Sequence, residues 1–240
     1  MNIAVILGVG PDRGMGAQLC KRFASRGLHV VVSGRTQRDL ESVVQTIEGD
    51  GGSASAFAAD ATEEDNVQEL FRRASDLGVI ELAIYNAGNN TPGPITDMKA
   101  DYFENSWRVC CYGGFLFGRE SVNVMRQNKK GTIIFTGASA SLRGRAGFGA
   151  FNSSKAALRG FAQALSKEAG TDNIHVGHVV IDGAINGQKI KIRYPDYVKQ
   201  MGEERLIEIE AIVDAYEFLW KQRPSGWSFE VDVRTASEPW

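Results

Sequence analysis

The sequence predicts an α/β fold, a doubly wound parallel sheet of about seven strands with helices on both faces. Short apolar runs rich in β-branched residues alternate with segments of helical periodicity along the whole chain. The runs are apolar on both faces, as in the strands of a parallel sheet that helices cover on both sides. The connections from strand through helix to the next parallel strand are then expected to be right-handed crossovers. Since no repeat, low-complexity tract or linker divides the 240 residues, we expect a single domain over residues 1–240.

Seven strands and six helices are predicted in chain order. The strands cover residues 3–7, 28–33, 54–58, 80–85, 132–136, 175–181 and 229–233. The helices cover residues 16–25, 37–47, 63–77, 97–127, 151–169 and 208–220. Because ligands of such sheets bind beyond the carboxyl ends of the strands, the turns that follow the strands are where a site is expected.

Composition and charge favour small-molecule partners. The net charge is -2 and the basic residues are scattered, which gives no footprint for nucleic acid or an anionic membrane. Met1 leads almost directly into an apolar strand, without the features of a signal peptide, and no apolar run would span a bilayer. Cys20, Cys110 and Cys111 are odd in number and lack metal-ligand spacing. We therefore expect reduced thiols, a cytoplasmic location and no metal site.

A glycine-rich turn joins the first strand to the first helix. Gly10, Gly14 and Gly16 are spaced G-x-x-x-G-x-G, with Arg13 and Met15 between them. Glycines let the backbone approach a pyrophosphate closely, and the free amides at the start of the following helix attract its charge. About twenty residues later a second strand ends where the ribose of a dinucleotide would lie. The turn therefore predicts a dinucleotide site.

Further motifs follow the third and fourth strands and lie in the fifth predicted helix. They are Asp60-Ala61, Asn86-Ala87-Gly88 and Lys155. With the glycine-rich turn, these motifs resemble the signatures of the short-chain dehydrogenase/reductase family over nearly the whole length, although the turn opens with Val9 where that family usually has Thr. The resemblance implies a Rossmann-like domain that binds NAD(P)(H), an oxidoreductase activity on a carbonyl or alcohol, and a homodimer or homotetramer.

The end of the second strand bears on the choice of cofactor. NAD(H) binders place a carboxylate there for the ribose hydroxyl, whereas the 2′-phosphate of NADP(H) needs positive charge. This chain has Arg35 at that place, and the resemblance puts Arg13 beside the same ribose. We therefore expect NADP(H), with NAD(H) the second choice. The resemblance implies that Asp60, followed by Ala61, accepts from the adenine, although Asp60 also suits a helix cap.

The same resemblance implies four proton-transfer positions, of which three are altered. Phe151 stands where the family has its proton-donating Tyr, four residues before the retained Lys155. Ala138 occupies the usual Ser position, with Ser139 one residue later, and Cys110 stands at the usual Asn. The lysine is expected to bind the nicotinamide ribose. A relay through Ser139, Tyr112 or water remains open as the source of the proton.

The region after the sixth strand is expected to complete the nicotinamide pocket. Asp182 replaces the family's usual Pro, while the backbone of Asn86-Ala87-Gly88 is implied near the ribose, and that of Gly183 and Ile185 near the carboxamide. Residues 186–205 resemble a flap over the substrate. Two functions stay open: an NADP(H)-dependent oxidoreductase with a divergent acid/base site, or a weak or inactive NADP(H)-binding redox sensor or structural protein.

Overall fold

The computed structural model describes residues 1–88 and 90–238 of the chain, and within them seven parallel strands form one sheet in the order β3-β2-β1-β4-β5-β6-β7. The strands are β1 (Asn2–Leu7), β2 (His29–Gly34), β3 (Ser53–Ala58), β4 (Val79–Tyr85), β5 (Gly131–Ala138), β6 (Ile174–Ile181) and β7 (Glu230–Val233). Each strand coincides with a predicted one to within two residues at either end. The predicted doubly wound sheet is therefore confirmed.

Helices cover both faces of this sheet. They are α1 (Met15–Ser25), α2 (Gln37–Gly49), α3 (Glu64–Leu77), α4 (Ala100–Trp107), α5 (Gly113–Met125), α6 (Gly149–Ala169), α7 (Gln188–Arg193), α8 (Pro195–Met201) and α9 (Ile209–Lys221). The apolar sides of α1, α2 and α9 form a core on one face, and those of α3, α5 and α6 form a core on the other. Within the described part of the chain, no helix is both long enough and apolar enough to cross a membrane.

The helix predicted over residues 97–127 is present from Ala100 to Met125, but it contains a π-helical segment that the sequence did not predict. After α4 the chain forms a π-helical segment, Arg108–Tyr112, before α5 begins. The buried hydroxyl of Tyr85 donates to the carbonyl oxygen of Val109 at 2.5 Å, which satisfies an acceptor inside this wider turn. A Cβ on Gly113 would lie 2.3 Å from that hydroxyl, so α5 reaches Tyr85 only with glycine there. Helical periodicity cannot reveal such a contact with β4.

The sheet order reverses between β1 and β4. From β1 the chain proceeds outward through β2 and β3, and it then returns to place β4 on the other side of β1. The connections after β1 and β4 therefore leave the sheet in opposite directions, which opens a crevice at the carboxyl ends of these two strands. The fold thus places the predicted glycine-rich turn and the segment after β4 at the same opening.

A cluster of charges fixes α9 against α1, the helix that follows the glycine-rich turn. The carboxylate of Glu217 is only 7% exposed and accepts hydrogen bonds from Arg22 at 2.6 Å and from Arg26 at 2.8 and 3.0 Å. Lys221 also contacts it. The hydrogen bond from Arg26, with those from Lys221 and Arg22, lowers the pKa of Glu217 to about 2. A buried carboxylate is tolerated here because several cations share it.

We expect Glu217→Ala to lower the free energy of unfolding by about 2 kcal/mol, because Arg26 loses its carboxylate and the mostly buried Arg22 keeps only the exposed partners Glu210 and Asp214. Glu210, which also pairs with Arg22 but is 70% exposed, provides the matched control, and Glu210→Ala should cost less than about 0.5 kcal/mol. Urea unfolding measures both.

The loss caused by Glu217→Ala should also depend on pH. Since the pKa of Glu217 is lowered in the folded state, its stabilising effect is present above the ordinary carboxyl pKa and disappears as the pH falls towards about 2. The gap between wild type and Glu217→Ala should therefore narrow between about pH 7 and about pH 3. A gap that stays constant over this range would contradict the assignment.

Candidate active site

A cleft of about 260 Å³ lies at the reversal of strand order. It is lined by Leu7, Gly8, Val9, Gly10, Gly34, Arg35, Ala59, Asp60, Ala61, Asn86, Ala87, Gly88, Tyr102, Asn105, Ser106 and Val109. These residues come from the ends of β1, β2, β3 and β4 and from one side of α4 with the start of the π-helical segment. Seven of the residues that the sequence selected for a cofactor are therefore brought together: Gly10, Arg35, Asp60, Ala61, Asn86, Ala87 and Gly88.

Close backbone contacts at the floor of the cleft require glycine at two points. A Cβ on Gly16 would lie 2.9 Å from the carbonyl oxygen of Gly8, so α1 packs directly on the end of β1. A Cβ on Gly34 would lie 2.2 Å from the carbonyl oxygen of Val9, so the end of β2 passes equally close. The backbone turn after β1 is thus held between two elements, and its amides lie near the opening.

The start of α1 is free of the groups that usually satisfy a helix end. Its N-cap residue, Gly14, makes no side-chain capping hydrogen bond, and the first turn of the helix, which begins at Met15, has no acidic residue. The first amides of a helix carry partial positive charge and need an acceptor. In the described structure this helix end can therefore accept an anionic group from a ligand.

Asp12 anchors the glycine-rich turn to α1 and α2. Its carboxylate pairs with Lys21 of α1 at 2.9 Å and accepts from the Thr46 hydroxyl of α2 at 3.1 Å. The amide of Gly14 donates to the carbonyl oxygen of Pro11 at 2.8 Å, which closes the turn. Arg13 then lies on the outside of the turn, exposed to solvent.

Arg13 and Arg35 are the two cations that the sequence associated with a ribose phosphate. Both are exposed, and neither forms an ion pair with any residue in the described ranges. Arg35 lines the cleft directly, whereas Arg13 stands on the turn beside α1. Two guanidinium groups without acidic partners, close to an uncapped helix end, give this part of the cleft a positive character.

Asp60 follows β3 and shapes the turn before α3. One of its carboxylate oxygens accepts from the amide and the hydroxyl of Thr62 at 2.9 and 2.8 Å. The helix begins later, at Glu64, with Glu63 as its N-cap residue, so Asp60 organises the turn and does not cap the helix itself. The residue and the neighbouring Ala61 both remain at the wall of the cleft.

Asn86 joins the ends of three strands. Its backbone amide donates to the carbonyl oxygen of Leu7 at 2.8 Å, and its side-chain amide donates to that of Gly8 at 3.0 Å. Its side-chain oxygen accepts from the Thr136 hydroxyl of β5 at 3.1 Å, and Thr136 in turn lies 2.6 Å from the hydroxyl of Tyr216. The segment after β4 is thereby fixed beside the turn after β1.

Lys155 lies at the end of this chain of contacts. The residue is 3% exposed, and its ammonium donates to the carbonyl oxygen of Thr136 at 2.7 Å. Its Nζ atom is 5.8 Å from the centre of the Phe151 ring and would be 3.3 Å from a Cβ on Gly88. The same Cβ would lie 3.6 Å from the Sγ atom of Cys110. Burial lowers the pKa of Lys155, and the neighbouring Cys110 partly opposes that shift.

The loops after β5 and β6 meet across an ion pair. Asp182, which is 1% exposed, accepts two hydrogen bonds from Arg143 at 3.0 and 2.7 Å. Ser139 begins the short 3-10 turn that leads into this loop and is half-buried. The arrangement holds the β5 loop, with Ser139, against the start of the segment that carries Gly183 and Ile185, both half-buried. Sequence reasoning missed Arg143, which carries no motif.

Tyr112, one of the alternatives for a proton relay, belongs to an aromatic group on the outer side of the helices. Its ring stacks on Trp107 with centres 6.4 Å apart, contacts Phe115, and lies under the guanidinium of Arg108. It is absent from the residues that line the cleft. The phenol of Tyr112 is therefore not one of the groups that face the cleft.

Unsatisfied polar atoms gather at the carboxyl edge of the sheet. Among the described residues, four buried side-chain atoms have no hydrogen-bond partner: Asn90 Oδ1, Ser106 Oγ, His175 Nδ1 and Asn186 Oδ1. Three of them, those of Asn90, Ser106 and Asn186, follow β4 or β6 or lie on α4. Buried polar groups normally have partners, and Ser106, the one of these three that lines the cleft, is available to a polar ligand there. Ser106, Asn105 and Tyr102 had no signal in the sequence, because a helix pattern does not reveal which polar side faces a cleft.

The described residues offer no alternative centre based on a metal ion. No group of three His, Cys, Asp or Glu side chains in residues 1–88 and 90–238 could hold one.

Relatives with known names share this chain's sequence pattern. The uncharacterized oxidoreductase YuxG of Bacillus subtilis is 30% identical over 78% of this chain, although the match spans only 28% of YuxG. Versicolorin reductase stcU of Emericella nidulans is 32% identical over 77% of this chain and 69% of its own length.

Solved structures share the fold. A short-chain dehydrogenase from Rhodopseudomonas palustris is 35% identical, with a TM-score of 0.82 and 97% of each chain covered. A 7α-hydroxysteroid dehydrogenase complexed with NADH is 26% identical, with a TM-score of 0.88 over 98% of this chain and 93% of that one. A metagenomic short-chain oxidoreductase in complex with NADP, at 24% identity, has a TM-score of 0.81 over 98% and 97% of the two chains and matches in fold.

The family pattern itself covers most of the sequence. The pattern of the short chain dehydrogenases matches residues 3–189, which include the glycine-rich turn, the segment after β4 and Lys155. With that match, the related reductases and the shared sheet, the chain belongs to the short chain dehydrogenase family.

Proposed function

We propose that this protein is an NADP(H)-dependent oxidoreductase that transfers hydride between the nicotinamide and a carbonyl or alcohol substrate. The observation that carries the proposal is the cleft at the strand reversal, which is lined by glycines and Arg35. The uncapped start of α1 and Arg13 flank it, and the buried Lys155 lies behind Gly88, with Nζ 3.3 Å from where a Cβ on that glycine would be. The proposed unit is the single domain 1–240. Residues 186–205, which contain α7 and α8, act as the flap over the substrate.

The residues around the cleft fit a dinucleotide. The backbone of Gly10, Gly14, Met15 and Gly16 and the first amides of α1 suit the pyrophosphate. Asp60 and Ala61 suit the adenine, since the second carboxylate oxygen of Asp60 makes no hydrogen bond among the described residues. The Asn86-Ala87-Gly88 segment and Lys155 suit the nicotinamide ribose, and the backbone of Gly183 and Ile185 suits the carboxamide.

The preference for NADP(H) rests on charge. Solved relatives carry either NADP or NADH in their complexes, so family membership leaves the choice open. Arg35 stands at the end of β2, where an NAD(H) site would present a carboxylate, and Arg13 stands on the neighbouring turn. Two guanidinium groups favour a 2′-phosphate over a hydroxyl.

The bound nicotinamide would supply a hydride, and the chain's own residues would position the substrate and handle the proton. Positioning alone can provide much of the rate of a hydride transfer. Phe151 has no proton to give, so the proton must come from another group. Ser139, at the start of the β5 loop, is placed to orient a carbonyl oxygen, and Cys110 takes the position of the usual Asn without its hydrogen-bonding capacity.

A second candidate function follows from the same altered positions. A protein that binds NADP(H) without turnover would act as a redox sensor or as a structural protein, and the apolar ring of Phe151 beside Lys155 is the observation that favours it. Measurements of NADP(H) binding and of substrate turnover distinguish the two functions.

Assembly and location form part of the proposal. Phe103, Trp107 and Phe115 are exposed on α4 and α5, which suits a homodimer or homotetramer formed through these helices. The partners are a small-molecule carbonyl or alcohol and copies of this chain, in the cytoplasm, with no nucleic acid or membrane partner.

Arg35→Ala should weaken NADPH binding about 10- to 100-fold while it changes NADH binding less than about threefold, because only NADPH presents a phosphate to the guanidinium. Arg13→Ala should act in the same direction. Arg223→Ala, an exposed arginine between α9 and β7, is the control and should leave both constants unchanged. Fluorescence titration of wild type and the three variants with each cofactor measures the eight dissociation constants. Equal losses for NADPH and NADH in Arg35→Ala would contradict the NADP(H) assignment.

The oxidoreductase proposal is tested by NADPH oxidation with wild type and Phe151→Tyr, side by side, over ketones, aldehydes and α-dicarbonyls. We expect measurable turnover by the wild type and a kcat up to about 10²-fold higher in the variant, which gains a proton donor. NADPH binding is measured in both proteins. Tight binding with no wild-type turnover on any substrate would overturn the enzyme proposal in favour of the sensor.

A further inference from the structure

We propose that Lys155 is the proton donor of this site, delivering its proton through one water to the carbonyl oxygen that is being reduced. The inference rests on the proposed function and extends it, because the proposed function assigns Lys155 only to binding the ribose of the cofactor. In the reaction the carbonyl carbon gains a hydride from the nicotinamide, which is oxidised, and the carbonyl oxygen gains the proton from Nζ. Lysine is left as the neutral amine, which solvent protonates again.

The first argument is the position of Nζ. It lies 5.8 Å from the centre of the Phe151 ring, one helical turn away on α6, and close to Gly88 of the cleft wall. A phenyl ring at position 151 has no hydroxyl and therefore no proton to give, whereas the ammonium beside it carries three. A proton donor can act through one water.

The second argument is the hydrogen bonding of the ammonium. It has three donors, and only one of them is satisfied in the described structure, by the carbonyl oxygen of Thr136 at 2.7 Å. No carboxylate of the described residues pairs with it, although the residue is 3% exposed. The other two donors therefore remain for groups that enter the cleft.

The third argument is the electrostatic surroundings. The titratable groups that face Lys155 are the Cys110 thiol of the π-helical segment and the His178 imidazole of β6, behind which Glu230 and Arg159 form an ion pair. Burial lowers the pKa of Lys155, and no acidic partner reverses the shift. Burial also lowers the pKa of His178, the hydrogen bond to Glu230 opposes that shift, and the charges of Lys155 and Arg159 add to it. A lysine whose pKa lies nearer the working pH is a better acid than an ordinary one.

The other candidates for a donor are placed less well. Tyr112 stacks on Trp107 outside the cleft. Ser139 has no basic partner among the described residues that would let it pass a proton on, and Cys110 is fully buried against the lysine. Of these groups, Lys155 is thus the acid that lies beside Phe151, the position where the family has its tyrosine.

The test compares Lys155→Arg, Lys155→Met and Lys155→Ala with wild type, and uses Lys167→Ala, an exposed lysine of the same helix, as the matched control. Arginine keeps the charge and a hydrogen-bond donor but does not release a proton near neutral pH. We expect kcat to fall about 10²-fold or more in all three variants, with NADPH affinity in Lys155→Arg within about threefold of wild type. The control should match wild type.

Small primary amines should restore kcat in Lys155→Ala, by an amount that depends on the pKa of the amine. A lysine that only positions the cofactor would give rescue independent of that pKa, and Lys155→Arg would then keep most of its kcat. Either result overturns the proposal. The same holds if Cys110→Ala loses as much kcat as Lys155→Arg while its NADPH affinity is unchanged.

A second readout needs no turnover. The Lys155 side chain, labelled with ¹³C and ¹⁵N and assigned by its absence in Lys155→Arg, should titrate by NMR below the ordinary lysine range of about 10.4. The rate of carbonyl reduction should be full below that pKa and should fall as the pH rises through it, since the protonated amine is required. An ordinary pKa, or an unchanged pH profile in Lys155→Arg, overturns the inference.

These outcomes separate the inference from the function on which it rests. Wild-type turnover that Lys155→Arg retains refutes the donor role and leaves the oxidoreductase standing. NADPH binding without any wild-type turnover refutes both. In Phe151→Tyr/Lys155→Arg, the new tyrosine should restore part of the kcat that Lys155→Arg loses, because it provides the missing acid.

Discussion

The hydrogen bonds of Asn86 are the constraint on which the rest of the site depends. One residue ties the ends of β1, β4 and β5 together, through the carbonyl oxygens of Leu7 and Gly8 and the hydroxyl of Thr136. The Thr136 hydroxyl can give its proton to Asn86 only if it accepts one from Tyr216, and burial, which raises the pKa of Tyr216, keeps that donor protonated. A directional chain of hydrogen bonds from Tyr216 through Thr136 to Asn86 thus links the hydrophobic core to the lining of the cleft.

The same strand end holds the buried amine. Thr136 donates its hydroxyl proton to Asn86, and its carbonyl oxygen accepts from Lys155, so that a single residue of β5 contacts both. Burying an ammonium group without a carboxylate partner costs folding free energy, and groups of this kind are found mostly at functional sites. By contrast, the buried charges of Glu217 and Asp182 are each matched by arginine, and they hold helices and loops in place.

Much of this arrangement could be predicted from the sequence, because the signals are local. All seven strands follow from short apolar runs, and the glycine-rich turn, Asn86-Ala87-Gly88 and Lys155 are recognisable by their spacing relative to those runs. What could not be predicted depends on contacts between distant residues. The π-helical segment after α4 involves a hydrogen bond from the hydroxyl of Tyr85 on β4. The cleft-facing side of α4, with Ser106, becomes visible only once that helix is packed against the sheet. The roles of the site residues remain predictions.

The π-helical segment Arg108–Tyr112 sets the rotation of one helix relative to the next. An α-helix turns by about 100° per residue, so a wide turn that holds one extra residue shifts every side chain after it around the axis by that amount. Because of this shift α4 presents Ser106 to the cleft while α5 presents Gly113 and Gly114 to the ring of Tyr85. Loss of one residue from the segment would leave the strands in place but would rotate bulky side chains of α5 onto that ring. The number of residues in this segment therefore determines the fold as much as their identity does.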